Sequence, residues 1–174
     1  DITLLDPADV RRDVGLLNQN AHLFFGTVRE NLTLGAPLAT DDDLLKALSV
    51  TGALSFIQDK KEGLDHIIME GGVGFSGGQR QALLLSRLLI CQPNILLLDE
   101  PTASIDDVSE KQLIDHMKVW LAHRTLIVAT HRRAVLELVD RIIVINEGRV
   151  VMGGTKEQIL NNSAQQMPSS GARS

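Results

Sequence analysis

The stretch FSGGQRQ at residues 75–81, followed after a leucine-rich run by ILLLDEPT at residues 95–102, decides the fold. Gly77 and Gly78 stand directly before an amphipathic run, so they leave free backbone N–H groups at the start of a helix. The helix dipole and the Ser76 hydroxyl both favour an anion such as a phosphate there. Residues 95–98 are four aliphatics in a row, which suits a strand buried on both faces of a parallel sheet. Asp99 and Glu100 then fall at the C-terminal end of that strand, where open α/β sheets place their ligands. Adjacent positions send the two carboxylates in different directions, so each can take its own task.

Outward from this stretch, the rest of the chain reads as one α/β architecture. VGLL at 14–17 is a short buried strand leading into Gln19. A helical region opens near Thr27, and TDDD at 40–43 caps a helix through residue 48, because Thr and Asp accept orphan N–H groups and their charge suits a helix start. Residues 55–61 form a further helix. Downstream, helix 107–121, strand 125–129, helix 132–138 and strand 142–145 alternate in the order that builds a parallel sheet. Glu147-Gly148 turns the chain into Val150, Val151 and Met152, and residues 156–160 make a last short helix. The polar segment SAQQMPSSGARS from Ser163 reads as a disordered tail. One domain over residues 1–162, with a helical subdomain at about 31–90, is therefore expected.

Composition narrows the function classes. At 174 residues and 44% hydrophobic, the chain is long enough for a single core. A net charge of −5 with scattered basic residues argues against a nucleic-acid surface, which needs clustered Lys and Arg. The single cysteine, Cys91, allows no intrachain disulfide and fits a small buried side chain in a reducing compartment. The longest apolar helical run, residues 82–90, is far short of a membrane span and carries Ser86 and Arg87. His22, His66, His116 and His123 pair with no Cys or His at metal-ligand spacing, so a zinc site is not expected.

Six motifs in order carry a family resemblance. FSGGQRQ resembles the LSGGQ signature of ABC-type ATPases, and ILLLDEPT their Walker B strand. Asn18-Gln19-Asn20 resembles the Q-loop, Glu70-Gly71-Gly72 the X-loop of exporters, residues 103–106 (ASID) the D-loop, and Thr130-His131-Arg132 the H-loop. The resemblance spans roughly residues 1–160 and implies a P-loop NTPase-type parallel sheet, an ABC ATPase core truncated on its N-terminal side, with an inserted helical subdomain. It implies ATP and Mg²⁺ as cofactors. Asp99 then holds the metal, with Gln19 reaching the ion and its water. Glu100 polarises the attacking water, and His131 contacts the γ-phosphate. Ser76, Gly77, Gly78 and Gln79 act on a nucleotide held by the other copy of an ATP-sandwich homodimer, with Asp106 in the D-loop.

The sequence also departs from the family pattern. Phe75 stands for the usual leucine, a tolerable exchange of one apolar anchor for another. Ala103 and Ser104 are exchanged relative to the common D-loop order. In the X-loop, Glu70 matches while Gly71 and Ile67 replace an arginine and a glutamate. The phosphate-cradling G-x-x-x-x-G-K-[ST] loop occurs nowhere in residues 1–174. The expectation is that residue 1 lies inside a longer polypeptide and that this chain alone is inactive.

The resemblance is greatest to bacterial type I secretion exporters of proteins or peptides. It implies a transmembrane domain of the same exporter as partner and a place on the cytoplasmic face of the inner membrane. The segment HLFFG at 22–26 offers Phe24 and Phe25 either to the core or to that partner. Two alternatives differ in class. Structural-maintenance-of-chromosomes and related DNA-repair ATPases separate the Q-loop and signature by a long coiled coil, whereas Gln19 and Ser76 are 57 residues apart here. A non-hydrolysing interaction module has no chemical need for both Glu100 and His131.

Overall fold

The computed structural model describes residues 4–165. The chain divides into two compact units, Asp1–Val135 and Leu136–Ser174.

The first unit begins with α1 (Pro7–Asp13), which the sequence reading did not anticipate, although its start signal is complete. Asp6 accepts from the Ala8 N–H at 2.7 Å, and Pro7 occupies the first helical turn, where its missing N–H costs nothing. Strand β1 (Val14–Leu17) follows and pairs in parallel with β4 (Ile95–Asp99). On its other side β4 pairs in parallel with β5 (Thr125–Ala129), giving the order β1-β4-β5. The register sets Leu17 beside Leu98 and Asp99 beside Ala129, so the three C-terminal strand ends lie in one row.

This sheet is covered on one face only among the described residues. Leu96 and Leu98 are buried, whereas Leu16 and Ile127, on the opposite face, are both 60% exposed. The expectation of a strand buried on both faces is therefore corrected to an alternating one. On the covered face the backbone of β1 comes very close to the leucine-rich helix: a Cβ at Gly15 would stand 2.6 Å from Leu88 Cδ1.

Between β1 and β4 lies the helical region. β2 (Gly26–Thr27) leads into α2 (Val28–Thr33), then α3 (Asp41–Val50) and α4 (Ala53–Gln58); β3 (Ile67–Ile68) returns antiparallel to β2, and α5 (Gly77–Ile90) runs back to the sheet. Three of these helices start with reciprocal capping boxes, Thr27 with Glu30, Thr40 with Asp43, and Ser76 with Gln79. Their apolar stripes meet in a core of Leu32, Leu44, Leu48, Ile57, Leu83 and Leu89. Inside that core Thr51 Oγ1 and Ser86 Oγ are 2.7 Å apart, with Leu48 O and Ala82 O as further acceptors, so one hydroxyl donates across the pair while the other donates to its own carbonyl. After β4, α6 (Asp107–Trp120) crosses to β5. Residues 132–138, expected as a helix, hold a 3-10 helix at Arg133–Leu138.

The second unit is a hairpin with one helix. β6 (Arg141–Asn146) pairs antiparallel with β7 (Arg149–Thr155) through Glu147 and Gly148, both at positive φ as a two-residue primed turn requires. Hence β6, expected within the parallel sheet, belongs to a sheet of its own with β7. Helix α7 (Lys156–Gln165) continues five residues past its expected end. The first three residues of the expected tail are thus helical, and residues 166–174 lie outside the described residues.

Candidate functional site

The row of C-terminal strand ends opens into a cleft of about 490 Å³ whose lining includes Gln19, Gly77, Asp99, Glu100, Ser104 and His131. Parallel pairing is what assembles it. Gln19 follows β1 in an exposed turn, Asp99 closes β4 half-buried, and His131 follows β5 by two residues.

Glu100 is the most constrained of these residues. Its φ is +47°, a left-handed value that costs a non-glycine residue roughly 1–2 kcal/mol. Its N–H donates to Ala129 O at 2.9 Å, continuing the β4–β5 ladder by one step. Its carbonyl accepts from Gln81 Nε2 at 2.8 Å. The carboxylate takes the His131 N–H at 3.1 Å and His131 Nδ1 at 2.7 Å on Oε1, and the Thr130 hydroxyl at 3.3 Å on Oε2. Because a carboxylate only accepts, Nδ1 carries a proton, and Nε2 is left as the ring atom that faces outward. The Glu100 side chain is 18% exposed and that of His131 77%. The acid is held inside while the imidazole reaches toward solvent.

The signature sits at the start of α5. Ser76 Oγ accepts from the Gln79 N–H at 3.1 Å while Gln79 Oε1 accepts from the Ser76 N–H at 2.9 Å. The amide oxygen of Gln79 is thereby committed to its own chain, whereas the Ser76 hydroxyl keeps its proton free to donate. Phe75 is 7% exposed and packs edge-on to Phe56 and His66, so it does serve as the apolar anchor. Gly78 is required by the turn after β4: a Cβ there would lie 2.8 Å from Ser104 O. Asp106 caps α6, accepting from Val108 N and Ser109 N. The Ser109 N–H, then the Ser109 hydroxyl and the other amides of that turn, hold the Asp106 carboxyl below its ordinary value.

Two clamps escaped the sequence reading. Arg87, the one charge inside the apolar stripe of α5, bonds Asn31 O at 2.8 Å, Asn31 Oδ1 at 2.7 Å and His22 O at 3.1 Å, and its guanidinium stacks on Phe24. Burial lowers its pKa from the usual arginine value. A lone arginine in a leucine run was the available signal. Gln81, the last residue of FSGGQRQ, bridges Glu100 O and the Ser104 N–H, and nothing in its sequence context marks that role. The X-loop and the segment after Gln19 are joined directly: Gly71 N donates to Leu23 O at 3.0 Å and Phe25 N to Glu70 Oε2 at 3.2 Å.

The sequence profile of the ABC transporter family matches residues 1–103. The chain belongs to the ABC transporter family. A putative export ATP-binding/permease protein of Rickettsia felis is 36% identical over 163 residues, a match covering 94% of this chain and 28% of that protein. The leukotoxin translocation ATP-binding protein of Mannheimia haemolytica is also 36% identical, over 94% of this chain and 23% of its own length. The alpha-hemolysin translocation ATP-binding protein of Escherichia coli O157:H7 is 35% identical, over 92% and 23%. Among solved structures, a bacterial Atm1-family ABC exporter with ATP bound superposes with a TM-score of 0.86 at 28% identity, covering 99% of this chain and 31% of the exporter. This ABC chain thus spans about a quarter of the length of these curated relatives, and its sheet and helical region have the fold of an exporter ATPase. Among the described residues, no helix is long and apolar enough to cross a membrane.

Proposed function

We propose that this chain is the nucleotide-hydrolysing part of an ABC exporter, and that the longer polypeptide uses ATP turnover to move a protein or peptide across a bacterial inner membrane. The observation that carries this reading is the 2.7 Å contact of His131 Nδ1 with Glu100 Oε1 at the sheet edge. The toxin-translocation relatives and the ATP-bound structural neighbour support it.

In this reading Glu100, fixed on one oxygen by His131 and on the other by Thr130, orients and polarises the attacking water. His131 spends Nδ1 on Glu100, so Nε2 is the atom that meets the γ-phosphate. Asp99 and Gln19 are the donors toward Mg²⁺. Oxygen donors in small number fit that ion, which keeps several waters and binds one or two carboxylates plus substrate phosphates. When bound, the ion would neutralise charge on the transferring phosphoryl group. The phosphate-cradling glycine-lysine loop comes from another part of the longer polypeptide.

Ser76, Gly77 and Gly78, with Gln79 fixing the cap, face the nucleotide of a second copy in a homodimer, and Asp106 shapes the adjoining D-loop. Docking to the transmembrane domain falls to the exposed apolar side chains Phe25 (65% exposed), Met69 and Val73, on the bonded loops around Leu23 and Glu70. Exposed apolar side chains on neighbouring loops are the kind of surface that marks an interaction site. The site of action is the cytoplasmic face of the membrane.

The test is Mg-ATP turnover by the whole protein that carries these residues, beside the 174-residue chain alone. Steady turnover is expected from the first and none from the second. Glu100→Gln in the whole protein is expected to reduce turnover by about 100-fold or more, the usual contribution of general base catalysis, with nucleotide binding kept. Wild-type turnover in that variant would remove Glu100 from its role.

A further inference from the structure

Arg132 follows His131 directly, and its side chain, 20% exposed, is surrounded by oxygens. Nη1 donates to the carbonyls of Thr102 at 3.2 Å and Ile105 at 2.9 Å. Nη2 donates to Asp107 Oδ1 and Glu110 Oε2, both at 2.8 Å, and Nε lies 2.8 Å from Glu110 Oε1. Glu110 is only 3% exposed, and a buried carboxylate needs a cation. That need explains a positive charge but not this one. A lysine ammonium would neutralise Glu110; only a planar fork also reaches two carbonyls on the far side.

The two carbonyls bracket Ala103 and Ser104, the middle of the turn after β4. The same turn is held from its other side by Gln81, which accepts from Ser104 N at 3.3 Å and donates to Glu100 O at 2.8 Å. A closed ring results: Glu100, the turn 101–105, the Arg132 guanidinium, the His131 backbone, and back to Glu100 through the two His131 hydrogen bonds. The Arg132 guanidinium bonds neither Glu100 nor His131, and its backbone N–H donates to Thr130 Oγ1 at 3.0 Å, so it acts through its neighbours.

We propose that Arg132 is a positioning residue that locks the 102–105 turn to His131, so that the His131–Glu100 contact forms only when the turn is in place. Contact with that turn, by a second copy of this chain or any other surface, is then read at the imidazole. The consequence for hydrolysis rests on the proposed roles of Glu100 and His131; the locking itself does not.

The experiment separates the two. Three forms of the whole protein are compared: wild type, Arg132→Lys, which keeps a cation beside Glu110 but gives up the fork, and Glu110→Gln, which removes the buried charge but keeps an acceptor. Two quantities are read by NMR without nucleotide. One is the exchange rate of the Ile105 amide, which donates to Thr102 O; the other is the ¹⁵N signal of the hydrogen-bonded His131 Nδ1. Arg132→Lys is expected to speed Ile105 exchange by about tenfold or more, the factor that one lost charge-assisted hydrogen bond implies, and to abolish the bonded Nδ1 signal. Glu110→Gln is expected to change exchange by less than about twofold, since its amide oxygen still accepts from one N–H of the fork and Asp107 from Nη2, and to keep the signal.

In ATP turnover by the same samples, Arg132→Lys should lower kcat by about tenfold with KM unchanged, the pattern of a transition-state effect. An unchanged Nδ1 signal in Arg132→Lys overturns the proposal, as does an equal loss in Glu110→Gln, because the effect would then be burial of charge. If the wild type hydrolyses no ATP, the function proposed above fails while the NMR comparison still decides this one. Should Arg132→Lys not fold, the double variant Arg132→Gln with Glu110→Gln leaves no buried charge unpaired and carries the same readout.

Discussion

The helical region at residues 28–90 and the loop cluster at the ends of β1, β4 and β5 are held by different forces. The helices are joined mainly through fully buried leucines and isoleucines, with polar crosslinks at Thr51–Ser86, Arg87–Asn31 and Arg29–Asp41 beside them. The loops around Glu100 are joined by directional hydrogen bonds, both from side chain to backbone, as Gln81 to Glu100 and Ser104, Arg132 to Thr102 and Ile105, and Glu100 to the His131 N–H, and between side chains, as Glu100 with His131 and Arg132 with Glu110. Apolar burial is non-directional and sums over area, so it supplies stability without fixing any atom finely. Each hydrogen bond contributes only about 1 kcal/mol net, but it is directional. The molecule therefore keeps its stability in one region and its geometry in the other, and single substitutions should separate the two.

The largest stability effect should fall in the helices. Leu83, 0% exposed, lies where α5 meets its neighbours, and Leu83→Ala is expected to cost about 2–5 kcal/mol through lost transfer and the cavity left behind. Urea midpoints measure it. The His131 Nδ1 signal in the fraction that remains folded should be unchanged, and its loss would break the division between regions.

Gly78→Ala tests the seam. The new Cβ meets Ser104 O, a backbone atom that cannot swing aside; overpacking of this kind costs about 1–3 kcal/mol, offset by about 1 kcal/mol of better helix propensity. A net loss of about 1 kcal/mol is expected, with a displaced turn seen as faster exchange at Ser104. Stability loss with no change at Ser104 would place Gly78 with the helices instead.

Ser76→Ala removes one half of the α5 capping box and should cost about 1 kcal/mol, measurable as a shift in thermal midpoint. The smallest effect is set by pH. Asp106 has its carboxyl lowered by the Ser109 amide and its neighbours. Its contribution is therefore fully present above the unfolded value near 3.8 and is lost as pH falls through the lower folded value. The Val108 and Ser109 amide shifts should titrate together below pH 3.8, and Asp106→Asn, which caps without titrating, should flatten both curves.

Strands β4 and β5 were legible almost to the residue because continuous aliphatic runs ended by Asp99 and Thr130 admit few other readings. The positions of Glu100, His131, Asp99 and Gln19 followed once the sheet was parallel, since Asp99 ends β4 and the other three come just after strand ends. Strands β2 and β3 were not legible. Two-residue strands carry no period, and Gly26–Thr27 finds Ile67–Ile68 only through the packing of α2. The β6–β7 pairing was hidden for another reason: an aliphatic run such as residues 142–145 says strand but not partner. Arg132 and Gln81 were invisible in their functions because their partners are backbone carbonyls and amides, which every residue possesses and no sequence marks.

The left-handed backbone at Glu100 sets a trap for protein engineering. Glycine or asparagine tolerates a φ of +47° far better than glutamate, so a library selected only for heat resistance would enrich such replacements at this position. Each winner would have discarded the acid that the site is built around, and consensus or thermostability campaigns on this chain should hold position 100 fixed from the first round.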